Sequence, residues 1–173
     1  MRKIIIHAAD TPADMDVGEK SGVSMVYAQH FSSEEFRDWP DDMSPRLVTM
    51  LDILRYQTGS PIVISPHPDS LGRELAIHEE SAHNITRWGE VLAADFFVPH
   101  ISTRGAVEGL VYAMRNIGFT GIGVYTDTVY SGEPLTMFHG DVRPTRDMGA
   151  PAEWGRVNGQ YVSVMKAIQS VAP

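Results

Sequence analysis

The 173-residue sequence contains no cysteine, which excludes disulfides, thiolate zinc sites, iron–sulfur clusters and cysteine nucleophiles. Any metal must therefore sit on His, Asp or Glu. Positive charge is scarce as well: 14 Lys and Arg face 22 Asp and Glu, for a formal net charge of −8. That balance opposes the phosphate neutralisation that drives nucleic-acid binding, so no nucleic-acid partner is expected. No apolar run approaches the roughly 18–20 residues of a membrane span. The opening Ile4-Ile5-Ile6 meets His7 and Asp10 before the ~7–15-residue apolar stretch of a signal peptide can form. A soluble chain without membrane partner or cleaved signal is the expectation. Repeats, low-complexity tracts and interdomain linkers are also lacking, which predicts one domain over residues 1–173, with residues 1–30 as an N-terminal strand and loop extension. What is present is an ordinary globular composition, 43% hydrophobic and 21% charged, which sets a disordered chain aside.

Ile4-Ile5-Ile6 predicts a short strand, and Thr11-Pro12 through Gly18 a loop. Ser32 and Glu35 stand three apart, as in a capping box, and predict a helix start that Trp39-Pro40 ends. Ser44-Pro45 is a second start, and Leu47, Met50, Leu51 and Leu54 carry that helix to about Gln57, with Gly59 as its stop. Pro61 to Ser65 reads as a buried strand. Pro66 to Arg87 has no clear period and reads as a long ordered loop with at most one helical turn, a length that usually marks function. Val91 to Val98 reads as a central strand carrying one carboxylate, Asp95. Val107, Leu110, Val111 and Met114 predict a helix over Thr103–Asn116. A strand over Gly121–Tyr125, a loop or hairpin over Thr126–Glu133 and a strand over Leu135–Val142 complete the reading. Separate helices followed by successive strands predict an α+β fold in which helices flank an antiparallel sheet.

Two windows carry chemistry. In the first, His83 in a polar loop precedes Asp95 by twelve positions. Burying an unpaired carboxylate costs several kcal/mol, so Asp95 needs a cation, a set of donors or a metal; backbone amides or an Arg would serve. In the second, Phe138-His139-Gly140-Asp141-Val142-Arg143 puts His139 and Asp141 on one face of a strand. Two His and one Asp from separate elements match the three protein ligands of a catalytic zinc site, which leaves a position open for water.

These pieces, with Phe31-Ser32-Ser33-Glu34-Glu35-Phe36, Leu51 to Arg55, Gly59 to Ser65, Ser81-x-His83 through Gly89 to Ala93-Ala94-Asp95-Phe96, and Gly118 to Tyr125, resemble the phage-associated branch of the D-Ala-D-Ala carboxypeptidase and L-Ala-D-Glu endopeptidase family of zinc peptidases. The resemblance spans about Phe31 to Tyr161. It implies the Hedgehog/DD-peptidase fold, Zn2+ held by His83, Asp95 and His139, and cleavage of the peptidoglycan stem peptide. The family pattern departs in two places. The acid or His that many members carry just before the last ligand is replaced by Thr136 and Met137, leaving Asp141 or Glu133 as base. The family's "SGYR" arginine is missing, since Ser65 is followed by Pro66-His67-Pro68; Arg73, Arg87 or Arg143 stands in for it. Ser81, Arg87, Arg143, Tyr125 and Trp154 are the expected substrate-binding residues, with Trp88, Tyr130 and Tyr161 as further cleft aromatics. His30, His67, His78 and His100 read as polar loop residues.

The implied role is a phage endolysin, held in the host cytoplasm until a holin releases it, or a virion component that has virion proteins as partners. The alternative is a structural or wall-binding virion protein that keeps the fold without cleaving. The first 18 residues are also similar to the opening of phage N-acetylmuramoyl-L-alanine amidases, in which a His after a β run binds zinc; no second half of that site follows His7, and an edge strand is the better reading.

Overall fold

The computed structural model describes residues 3–8, 23–146 and 149–173. The loop expected over Thr11–Gly18 lies outside them. β1 (Lys3–Ala8) and β2 (Val23–Ala28) pair in parallel as a sheet of their own. The expected helix after Ser32 is only a 3-10 turn, Ser33–Phe36. The Ser32 N–H donates to the Glu35 carboxylate at 3.0 Å, but Glu35 is also clamped by Arg55, and Arg37 turns to φ 52 immediately afterwards. α1 (Pro45–Thr58) starts and stops on its expected signals, with Pro45 in the first turn and Gly59 left-handed at φ 59. There the Gly59 N–H closes onto the carbonyls of Arg55 and Tyr56. β3 (Val63–Ile64) is followed by the long loop, which holds a 3-10 turn at Pro68–Ser70 and the single turn α2 (Ile85–Trp88).

β4 (Ala93–Phe97), α3 (Arg104–Ile117) and β5 (Gly121–Tyr125) come next. A small hairpin, β6 (Val129–Tyr130) with β7 (Glu133–Pro134), leads into β8 (Met137–Asp141). β9 (Ala152–Val157), β10 (Gln160–Val162) and α4 (Val164–Ser170) close the chain. The main sheet has six strands in the order β10-β9-β5-β8-β4-β3. The fold is α+β, but the sheet is mixed rather than antiparallel, because β5 and β9 run parallel. The cause is the connection over residues 142–151: Asp141 and Ala152 both pair with Gly121, so the chain crosses the start of β5 and returns on its far side. None of the described helices is long and apolar enough to cross a membrane.

Strand alternation gives the sheet two different faces. Ala94, Phe96, Gly140, Phe138, Ile122, Val124 and Gly155 share one, by their cross-strand register, and α3 and α4 pack on it. A Cβ on Gly140 would lie 2.7 Å from the Phe119 ring, and one on Gly155 would overlap Ala167 of α4. Gly155→Ala is therefore expected to destabilise the protein by about 1–3 kcal/mol, the usual cost of overpacking, read as a lower urea midpoint at unchanged slope. The opposite face carries Asp95, His139, Asp141, Gly121, Gly123, Tyr125 and Trp154, and the long loop lies against it.

Candidate metal centre

Asp95 and His139 are direct cross-strand partners on β4 and β8, so their side chains leave the sheet side by side. His83 reaches them from the long loop, whose shape is held by named bonds. The Arg73 N–H donates to the His83 carbonyl at 2.7 Å and the Ile85 N–H to the Arg73 carbonyl at 3.0 Å. Asn84, fully buried, donates through its amide to the carbonyls of Ala76 (2.8 Å) and Glu79 (2.9 Å). The Trp88 indole donates to the Ser81 carbonyl at 2.8 Å. A segment without sequence period thus becomes a rigid mount for one imidazole.

The three ligand atoms form a tight triangle. His139 Nδ1 is 2.8 Å from Asp95 Oδ1 and 3.3 Å from His83 Nε2, and His83 Nε2 is 3.6 Å from the same Asp95 oxygen. A small four-coordinate ion bound by imidazole nitrogen and carboxylate oxygen at about 2.0–2.2 Å holds its ligand atoms roughly 3.3–3.5 Å apart; the two edges at His83 come close to that spacing, while the His139–Asp95 edge is a hydrogen-bond length that a bound ion would open. The outward nitrogens settle which way each ring is used. His83 Nδ1 lies 2.5 Å from the Leu71 carbonyl, and His139 Nε2 lies 3.3 Å from Asp141 Oδ2; both are places for N–H donors. Two imidazole lone pairs and a carboxylate oxygen therefore converge, which is stable only with a proton or a metal ion between them. His83, Asp95 and His139 form a group that could hold a metal ion.

Electrostatics agree with that arrangement. Burial would raise the Asp95 pKa, but hydrogen bonds from His139 and His83 and their charge outweigh it, so the carboxyl is held well below its usual 3.8. Burial would likewise lower His139, but the carboxylates of Asp141 and Asp95 overcome it and push the imidazole up to about 9. In the metal-free protein the proton retained by His139 does the work of the cation.

Asp141, one of the two expected bases, does not line the cleft. It is fully buried behind His139, on the ring nitrogen that points away from the triangle. Arg143 holds it through Nε at 3.0 Å and Nη2 at 2.6 Å, and the Thr120 hydroxyl donates to it at 3.1 Å. It fixes the tautomer and angle of a ligand ring. Glu133, the other expected base, is exposed on β7 and does not line the cleft. Arg143 is committed to Asp141 and to the Glu80 carbonyl at 2.9 Å, at the edge of the cleft. Arg87 props the long loop through the carbonyls of Ile77 and His78 and through Glu80. Ser81 lines the cleft beside His83.

That cleft has two adjoining lobes, of 690 and 350 Å³, that share Arg73, Asp95, Tyr125 and Tyr161. The larger reaches Ser65 and His67; the smaller reaches Trp154 and Arg146. Trp88 and Tyr130 line neither, Tyr130 packing on Phe97 at 5.0 Å. Arg146, Arg156 and Thr120 carried no sequence signal; Thr120 and Arg156 are positioned by partners distant in sequence, and Arg146 by the turn that follows β8. The two glycines of Gly121-x-Gly123 are explained by space. A Cβ on Gly121 would lie 2.5 Å from Asp141 Cγ, and one on Gly123 would lie 2.9 Å from both Trp154 and Tyr125.

Comparison of the chain with protein-family models, with curated proteins and with solved structures finds no match.

Proposed function

We propose that the chain is a zinc-dependent peptidase acting on the peptidoglycan stem peptide, as a phage endolysin or a virion-associated enzyme of the Hedgehog/DD-peptidase type. The observation that carries the reading is the convergence of His83 Nε2, His139 Nδ1 and Asp95 Oδ1 at the wall of an open cleft. Two imidazoles and one carboxylate suit Zn2+ and leave a coordination position for water or substrate. When bound, zinc supplies Lewis acidity toward the carbonyl and a water that ionises near neutral pH. The sequence motifs around these ligands resemble those of the peptidoglycan peptidases, which favours this substrate over others.

The chain's own residues supply the rest. Asp141 and the Leu71 carbonyl hold the two imidazoles in their ligating tautomers. Of the three arginines considered for the substrate carboxylate, Arg73 fits best. Arg143 and Arg87 are paired with Asp141 and Glu80, whereas Arg73 has no carboxylate partner among the described residues and lines both lobes, its guanidinium donating to the Asp69 carbonyl at 2.9 Å. A stem peptide carries carboxylates for such a cation to hold.

One observation favours a second reading, a wall-binding virion protein that does not cleave. Among the described residues, Asp95 is the only carboxylate that lines either lobe, so no second acid stands ready as general base. A single experiment separates the two: measurement of bound zinc and mass spectrometry of peptidoglycan digests, with His83→Ala as control. Free D-Ala, or a cut between L-Ala and D-Glu, is expected from the wild type and not from the variant. Stoichiometric zinc without product from several wall types would establish the binding reading instead.

A further inference from the structure

We propose that Tyr125 donates its phenolic hydrogen bond to the carbonyl oxygen of the bond being cut, and that Trp154 is the residue that positions it. This inference rests on the peptidase reading above.

An indole N–H can only donate, and Trp154 Nε1 lies 2.9 Å from Tyr125 Oη, so the phenol oxygen is the acceptor in that bond. Its own proton needs a different partner, and no described residue takes it. Tyr125 as a whole is only 9% exposed. What faces it is the cleft: Tyr125 lines both lobes together with Asp95. A phenol that accepts one hydrogen bond becomes a better donor in the next. The hydroxyl already has one structural duty, accepting the Trp154 N–H, and that duty leaves its own proton unused.

The placement relative to the ligands is built into the sheet. Gly123 pairs with His139 on one side and Trp154 on the other, and Tyr125 follows two positions on, hence on the same face. The Trp154 ring packs against His139 at 5.0 Å between centroids while its N–H holds Tyr125. One side chain therefore sets the distance between a ligand imidazole and the phenol. The crowding at Gly123 shows how closely both rings are held to the strand, since a Cβ there would meet Trp154 and Tyr125 equally. A donor held beside His139 by Trp154, on a residue that lines the cleft, matches what negative charge on a carbonyl oxygen requires as a nucleophile adds to it.

The test compares wild type, Tyr125→Phe and Trp154→Phe on a stem-peptide substrate, with zinc content and thermal melting measured on each. Loss of one such donor is expected to lower kcat by about 10²-fold, with KM within about threefold because the bond forms only as the transition state is reached. Zinc content of Tyr125→Phe is expected to match wild type, with melting a few degrees lower because the Trp154 N–H loses its acceptor. Trp154→Phe, which keeps the phenol and frees its oxygen, is expected to lower kcat in the same direction by less. Calorimetry gives a readout apart from turnover. The affinity for a phosphinate analogue of the tetrahedral state is expected to fall in step with kcat/KM in Tyr125→Phe, while affinity for the cleaved product stays unchanged. An active wild type with Tyr125→Phe within twofold of it in kcat overturns the role of Tyr125 alone, as does a Tyr125→Phe that loses zinc. A zinc-loaded wild type that cleaves nothing overturns the peptidase reading and this inference with it.

Discussion

If the chain is the zinc peptidase proposed above, Asp95→Ala is expected to abolish zinc binding and product release together. Asp95 is the only anion of the three ligands, and its carboxylate is the partner that both imidazoles share. Removing one partner of a buried charged group costs about 3–5 kcal/mol, which corresponds to roughly 10²–10⁴ in zinc Kd. The variant should titrate with zinc in a calorimeter only at concentrations far above those that saturate wild type, and should release no product from peptidoglycan. The pH dependence has a definite sign. His139 keeps its proton up to about 9 in the metal-free protein, and zinc must displace that proton. Wild-type zinc affinity should therefore climb as pH rises toward 9, by up to about tenfold per unit. In Asp95→Ala one of the two carboxylates that hold the proton is gone, so the climb should level off at lower pH. Equal zinc affinity in the two proteins would rule out Asp95 as a ligand.

The grouping of His83, Asp95 and His139 was legible partly from local pattern and partly from the family resemblance, since His83 in its polar loop breaks no pattern of its own. Asp95 stands out as one carboxylate in an apolar strand, and in the structure it occupies the centre of β4, opposite His139. His139 and Asp141 were placed on one face by strand alternation alone, and they share it. Their division of labour was not legible. Asp141 pairs with Gly121 near the end of β8 and sinks beneath Arg143 and Thr120, a depth set by the neighbouring strand and not by spacing along its own. The helices α1 and α3 were readable from short-range signals, proline and glycine in one, a period of apolar residues in the other. The strands β9 and β10 were not. Ala152–Val157 mixes Glu, Trp, Gly and Arg because one of its faces meets α4 and the other meets the site. Its parallel partner β5 is distant in sequence, so its pairing, and with it the position of Trp154, is decided by tertiary structure. At Ser32 the local signal marked where a turn begins but not how far it runs.

Asp141→Ala is expected to be the most destabilising single change at the site. The carboxylate is fully buried and receives Arg143 through Nε and Nη2, the Arg143 backbone N–H at 3.3 Å and the Thr120 hydroxyl. Arg146 approaches the same oxygen at 3.5 Å, and its own pKa is lowered by burial and by the charge of Arg143. Without Asp141 the two guanidinium groups face each other with no anion between them. The loss is about 3–5 kcal/mol, which for a chain of this size lowers Tm by roughly 6–20 °C, measured with the metal chelated so that zinc linkage does not contribute. Burial would raise the Asp141 pKa, but His139 and Arg143 overcome it and hold the folded-state value well below 3.8. The stabilisation is therefore fully present above pH 3.8 and is lost as pH falls through the folded-state value. The gap in Tm between wild type and Asp141→Ala should stay constant from about pH 5 to 6 and close in stronger acid. His139 adds the opposite edge: raised from 6.5 to about 9, it stabilises the metal-free fold fully below pH 6.5, and that contribution is lost as pH rises through 9. Asp141→Asn keeps the size and removes the charge, so it weakens the pairing with Arg143 and Arg146 as well as the hold on His139, and its zinc affinity is read below its melting temperature. Its zinc affinity should fall by about 10–100-fold, the usual cost of losing the partner that orients a ligating His, while kcat at saturating zinc stays measurable. An Asp141→Asn variant with wild-type zinc affinity and no turnover would instead return to Asp141 the role of general base.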